Sequence, residues 1–155
     1  MDGWSLGSIS VCVELGHEDD SDIDLVVKAG DLPLSLEKSG ITVKEGSNAE
    51  GVVHWPSIKM SSPNRRQEIY DSAKNALETA ERVKAKNVGF FTTALEVARV
   101  PSWEVAEEIV KAVHSHSQIE SKLDRVLLVA SSPIQVSSFQ YVLNNLASVI
   151  PDEGE

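Results

Sequence analysis

The chain cannot make an intramolecular disulfide, because Cys12 is its single cysteine among 155 residues. Secretion gains no support from this, and a reducing, cytoplasmic setting is the default expectation. Long apolar runs are also missing: stretches such as Val126 to Ala130 are far too short to span a bilayer. The first residues, Met1-Asp2-Gly3-Trp4, lack the basic region and apolar core of a signal peptide. Basic residues are in deficit, 14 against 24 acidic, for a formal charge of −10. Such a field repels nucleic acid and anionic membrane, so neither is an expected partner. Aromatics make up only 5 %, which leaves Trp4, Trp55 and Trp103 as the candidate anchors for a protein partner or a homodimer. No Gly-x-Ser-x-Gly, Walker A or Gly-x-Gly-x-x-Gly motif occurs, and no internal repeat or domain linker.

At 41 % hydrophobic, the chain is apolar enough to fold and long enough to bury a core without metal or disulfide staples. We read residues 1–150 as one domain and 151–155 as an acidic tail. Ile9 to Leu15 alternate apolar and polar residues, the pattern of a strand with one buried face, and this reads as the first strand. Ile23 to Val27 form a β-branched run closed by Ala29-Gly30-Asp31. Leu34 to Lys38 leave room for a turn or two of helix, and Ile41 to Val43 and Glu50 to His54 read as short strands.

The second half is clearer. Ser61 to Asn64 supply capping chemistry, and Ile69, Ala73, Ala76, Leu77, Ala80 and Val83 follow helical spacing, which predicts an amphipathic helix over 66–85 with an alanine-rich face. Asn87 to Thr92 is a buried strand. Trp103, Ala106, Ile109 and Val113 define a helix opened by Pro101-Ser102, and Val126 to Ala130 is a strand apolar on both faces. Ser132 as N-cap and Pro133 at the first position open a last helix with Val136, Phe139, Gln140, Leu143 and Leu146 on one stripe, stopped by Pro151. Helix, strand, helix, strand, helix implies parallel crossovers, hence an α/β fold: a three-layer α/β/α sandwich around a mixed, mostly parallel sheet of about six strands.

Three stretches resemble a known family. Residues 76–101 are similar, without a gap, to the alanine-rich helix, strand and phosphate loop of the macro domain, the ADP-ribose-binding α/β/α module. Ile23 to Asp31 match the spacing of its strand ending in two asparagines, and Val52-Val53-His54 its middle strand. The resemblance implies a nucleotide or ADP-ribose-type ligand, no cofactor and no metal. It places the cleft between Gly30 and Asp31, the loop Ala94, Leu95, Glu96, Val97, Ala98 and Arg99, and Ser131 with Ser132.

The departures fall on the chemistry. Lys28 and Asp31 stand at the asparagine positions, and both glycines of the phosphate loop are replaced in Leu95-Glu96-Val97-Ala98-Arg99. Glycine there permits positive φ and close approach of amides to a diphosphate, while Glu96 adds an opposing charge. The family's adenine-holding aspartate falls at His17. Hydrolysis of the family's kind is therefore not expected.

Arg99 is the best anion contact left, since a guanidinium grips phosphate bidentately. Its simpler role is an exposed loop arginine paired with Glu96 or Glu104. Ser131 and Ser132 face a ligand or cap the last helix. His114 and His116 have a spacing that can chelate metal but lack a third ligand, and interaction with a helix C-terminus accounts for them. His54 reads as a core histidine and Cys12 as packing. Three readings follow: a non-catalytic binding module, a closed pseudo-domain acting through protein contacts or dimerisation, and a hydrolase rebuilt on Asp31 and His54.

Overall fold

The computed structural model describes residues 3–16, 23–28, 31–32, 43–44, 51–56, 58–119 and 121–146. Two strands open it, β1 (Gly3–Leu6) and β2 (Ile9–Leu15), paired antiparallel with Leu6 opposite Ile9. The strand at Ile9 is thus the second, not the first as its pattern suggested. The signal was Gly7, which takes φ +61° in the two-residue connection and where a Cβ would lie 2.9 Å from the Ser117 carbonyl oxygen. Only glycine meets both demands without strain.

β3 (Leu25–Lys28), β4 (Asp31–Leu32), β5 (Val43–Lys44) and β6 (Gly51–His54) follow, then helix α1 (Arg65–Arg82), β7 (Asn87–Phe91), a short α2 (Thr93–Val97), α3 (Ser102–Ser117), β8 (Arg125–Ala130) and α4 (Pro133–Asn144). The main sheet has six strands in the order β1-β2-β8-β7-β3-β6, with β4 and β5 forming a separate two-stranded ribbon. Within the main sheet every pairing except β1 with β2 is parallel. This is the α/β architecture with a mixed, mostly parallel sheet that the pattern predicts. Leu34 to Lys38, Pro151 and the tail 151–155 lie outside the described residues.

One sheet face, built from Ile9, Val11, Val13, Leu25, Val27, Val88, Phe90, Val126, Leu128 and Ala130, shares a single buried cluster with the three longer helices. The other face carries a smaller cluster of Val26, Phe91, Leu127 and Val129 with Ile23. β8 is buried on both sides from Val126 to Ala130, which is why that run is continuously apolar, while β2 alternates because Cys12 and Glu14 on its second face are only half-buried. α1 buries Ile69, Ala73, Ala76, Leu77 and Ala80, and the alanines let it lie close to β3, β7 and α3.

Three details depart from expectation. Asn64 holds the N-cap position of α1 but its side chain makes no capping bond, so the expected cap is absent there. Val83 is exposed, because α1 has already ended at Arg82. Trp103 is also exposed, at 53 %, because the buried face of α3 runs through Val105, Ala106, Ile109, Val110 and Val113 instead.

The ends of α1 and α2 share a device. Lys84 has φ +63°, with its N–H donating to the Glu81 carbonyl and the Ala85 N–H to the Ala80 carbonyl at 2.8 Å. Arg99 has φ +66°, with its N–H donating to the Glu96 carbonyl and the Val100 N–H to the Leu95 carbonyl at 3.1 Å. Both are Schellman closures, whose left-handed position ordinarily takes glycine.

Candidate functional site

Five strands run parallel, so their carboxyl ends, at Leu15, Ala130, Phe91, Lys28 and His54, share one edge. Backbone bonds continue past the strand ends: Gly16 N–H to the Ala130 carbonyl at 2.8 Å, Thr92 N–H to the Val129 carbonyl at 3.1 Å, and Trp55 N–H to the Lys28 carbonyl at 3.0 Å. The geometry at this edge is therefore tied across neighbouring loops.

The stretch expected to be a phosphate loop is largely helical. Ala94 to Val97 belong to α2, with Ala98 its C-cap and Arg99 the left-handed residue that ends it. Leu95 explains the change: it is 1 % exposed and joins the main core, with Val100 buried beside it in the cluster. Burying this apolar side chain seats the turn against the core. Val97 and Arg99 stay exposed, and Ala94 and Ala98 are half-buried. The stretch is thus a packed turn rather than the open phosphate loop expected, although Arg99 has a positive φ of the kind a glycine takes easily.

Glu96 points across the edge. One oxygen of its carboxylate, Oε2, accepts from the Thr92 hydroxyl at 2.6 Å and from the Ser131 backbone N–H at 2.9 Å. Thr92 is fully buried, and its hydroxyl also lies 3.3 Å from the Val129 carbonyl. The expected pairing of Arg99 with Glu96 or Glu104 is not what forms: Glu96 serves Ser131 and Thr92, and Glu104 receives Arg65 through two bonds, of 2.7 and 2.8 Å. Ser132 caps α4 as expected, its hydroxyl accepting from the Gln135 N–H at 3.2 Å.

Lys28 is buried, with its ammonium 4.9 Å from the centroid of the Phe91 ring. Gly30 lies outside the described residues. Asp31 stands in β4 with its backbone paired opposite Lys44. His54 is exposed rather than a core histidine, because β6 is the last strand of the main sheet and has no neighbour on its outer side among the described residues. Trp55 is buried, its indole N–H donating to the Phe91 carbonyl at 2.8 Å, so it is no interface anchor. Trp4 is half-buried and donates to the Asn144 side chain at 2.8 Å.

Trp103 does stay on the surface, with Arg66 stacked 5.3 Å from its ring centroid. With Ile134 and Tyr141, also exposed, it lines a groove of about 400 Å³ between α3 and α4. His116 is buried and 2.8 Å from the Glu81 carboxylate. Among the described residues no cluster of three metal-ligating side chains occurs, and no helix is long and apolar enough to cross a membrane.

Sequence reasoning passed over Thr92, Glu81 and Gln135. Thr92 had a legible signal, since a hydroxyl and a carboxylate four residues apart meet on a helical turn. The side chains of Glu81 and Gln135 had none: Glu81 is met by groups 35 or more positions away, and the Gln135 side-chain amide donates to the Ser102 carbonyl, 33 positions away.

No protein-family model and no curated protein matches the sequence. Solved structures do. The Oceanobacillus iheyensis macrodomain with ADP superposes with a TM-score of 0.72 at 15 % identity, covering 96 % of this chain and 97 % of that one. A mutant form of that macrodomain with ADPR gives 0.71 at 14 %, covering 94 % and 98 %. The Trypanosoma brucei macrodomain in complex with ADP-ribose gives 0.60 at 11 %, covering 84 % of this chain and 68 % of the other. The chain has the macro-domain fold.

Proposed function

We propose that the chain is a non-catalytic binding module for ADP-ribose or a related nucleotide, held at the carboxyl edge of the sheet around Asp31, the turn Ala94 to Arg99 and Ser131-Ser132. The observation that carries this reading is the position of Arg99. A non-glycine residue in the left-handed region costs roughly 1–2 kcal/mol. Here it stands exposed, closing a turn beside the edge where ligands of such sheets bind. Lys84 closes α1 in the same way far from this edge, so what singles out Arg99 is the guanidinium it brings to the edge, and a guanidinium suits a diphosphate. The neighbours of the same fold that hold ADP or ADP-ribose support the ligand class. Lys28 and Asp31 in place of asparagines, and the loss of both loop glycines, support binding without hydrolysis.

Calorimetric titration with ADP-ribose of the native protein, Arg99→Gly and Lys84→Gly tests it. Both substitutions relieve a left-handed residue, so each is expected to raise stability to urea by about 1 kcal/mol. Arg99→Gly is expected to lose the binding heat and Lys84→Gly, at the end of α1 away from this edge, to keep it. Equal binding by all three proteins contradicts the role of Arg99.

A second reading rests on the groove between α3 and α4. Trp103, Ile134 and Tyr141 are 53, 68 and 63 % exposed there, the residue types that anchor protein interfaces. On that reading the chain dimerises or holds a protein through this face, and sedimentation of native protein against Trp103→Ala distinguishes the two.

A further inference from the structure

The nucleotide reading leaves Glu96 unexplained. A carboxylate beside a diphosphate is repulsive, yet this one is not turned away into solvent. It is held inward by the hydroxyl of buried Thr92 and by the Ser131 amide, at 2.6 and 2.9 Å on the same oxygen. Ser131 is the first residue beyond β8 and precedes the Ser132 cap of α4, so its amide belongs to neither the sheet ladder nor the helix, and at this edge it donates to an anion, the Glu96 carboxylate. A hydrogen bond to a charged acceptor is the stronger kind, and here the acceptor comes from the chain itself. Helix α2 fixes the reach: Leu95 buries one side of the turn and Glu96, next along, extends over the strand ends to β8.

Resting on the nucleotide reading, we propose that Glu96 is an internal anion that occupies a donor the ligand's phosphate needs, and that it thereby sets the site's selectivity between phosphorylated and unphosphorylated nucleosides. A phosphate oxygen reaching the Ser131 amide must displace the carboxylate and then lie near its negative charge. A nucleoside without phosphate does neither. Native protein therefore binds ADP-ribose more weakly than the fold would allow, while adenosine feels no such competition. Two residues of opposite sign, Glu96 and Arg99, three positions apart on one turn, then set the response of the edge to anions.

The test is calorimetry of native protein, Glu96→Gln and Glu96→Ala with ADP-ribose and with adenosine, each protein first checked for folding by its urea transition. Glu96→Gln retains an acceptor for Thr92 and Ser131 if the alanine variant fails to fold. Removing the charge is expected to tighten ADP-ribose by about tenfold or more, the scale of one charged hydrogen bond, and to move adenosine by less than about twofold. Equal ADP-ribose affinity in native and variant proteins overturns the role of Glu96 and leaves the binding module standing. ADP-ribose binding by the variants alone supports the internal anion and overturns the nucleotide reading for the native chain. Silence from all the folded proteins overturns both.

Discussion

Glu81 shows how much one carboxylate can hold. It accepts from His116 Nε2 at 2.8 Å, from the Ser121 hydroxyl and from the Lys122 N–H at 3.1 Å, fastening α1 to the end of α3 and the loop before β8. Burial works to raise its pKa, but the bonds from Ser121, His116 and Lys122, with the charge of His116, outweigh that and hold it below the ordinary 4.5. A carboxylate shifted downward stabilises the fold above its unfolded pKa and ceases to do so as pH falls through the folded value. Glu81→Gln is therefore expected to cost about 2 kcal/mol near neutral pH, the scale of a charged hydrogen bond. The native and variant urea midpoints should draw together only as pH falls from about 4.5 through the lower folded value, and a gap independent of pH would show that the charge is not what matters. Gly7→Ala is expected to destabilise by about 2 kcal/mol in the same assay, because it combines a left-handed φ with a 2.9 Å approach to the Ser117 carbonyl. Neither effect was legible from local sequence. Gly7 looks like any turn glycine until the end of α3 is brought against it, and Glu81 looks like a solvated helix position.

At the scale of elements, the sequence spoke most plainly where a periodic pattern met a single environment. β2 has the predicted bounds, Ile9 to Leu15, because one face is buried and the other is not. α4 begins at Pro133 as predicted because capping is local chemistry, carried by Ser132 within three residues. The pattern failed where tertiary packing overrode it. Residues 94–98 read as a loop by analogy with a glycine-bearing one, yet Leu95 buries and the turn closes helically with Arg99 in the glycine's conformation. Trp103 matched the spacing of the buried stripe of α3 but lies at its N-terminal end beyond the core, against Arg66. If Leu95 is what anchors α2, then Leu95→Ala, a large-to-small change at a 1 % exposed site, is expected to cost about 2–5 kcal/mol in urea unfolding. A cost below about 1 kcal/mol would mean the turn is held by its hydrogen bonds instead.

For the whole molecule, the sheet order and the shared edge of five parallel strands make a frame of the kind whose ligands bind at that edge, and the same fold recurs at 10–15 % identity in the macrodomain structures. The frame was legible in the sequence because it depends on hydrophobic period and element order. The state of the site was not, since it depends on where Glu96 and Leu95 point once the strands are assembled. The net charge of −10 makes the molecule as a whole a poor collector of anions, so any nucleotide it holds must be gripped locally. The most direct test of that claim is an amide-resolved NMR titration of the native protein with ADP-ribose. The account predicts saturable shifts gathered at Gly16, Thr92 to Val100, Ser131 and Ser132. Shifts gathered instead around Trp103, Ile134 and Tyr141, or none at millimolar ligand, would contradict it.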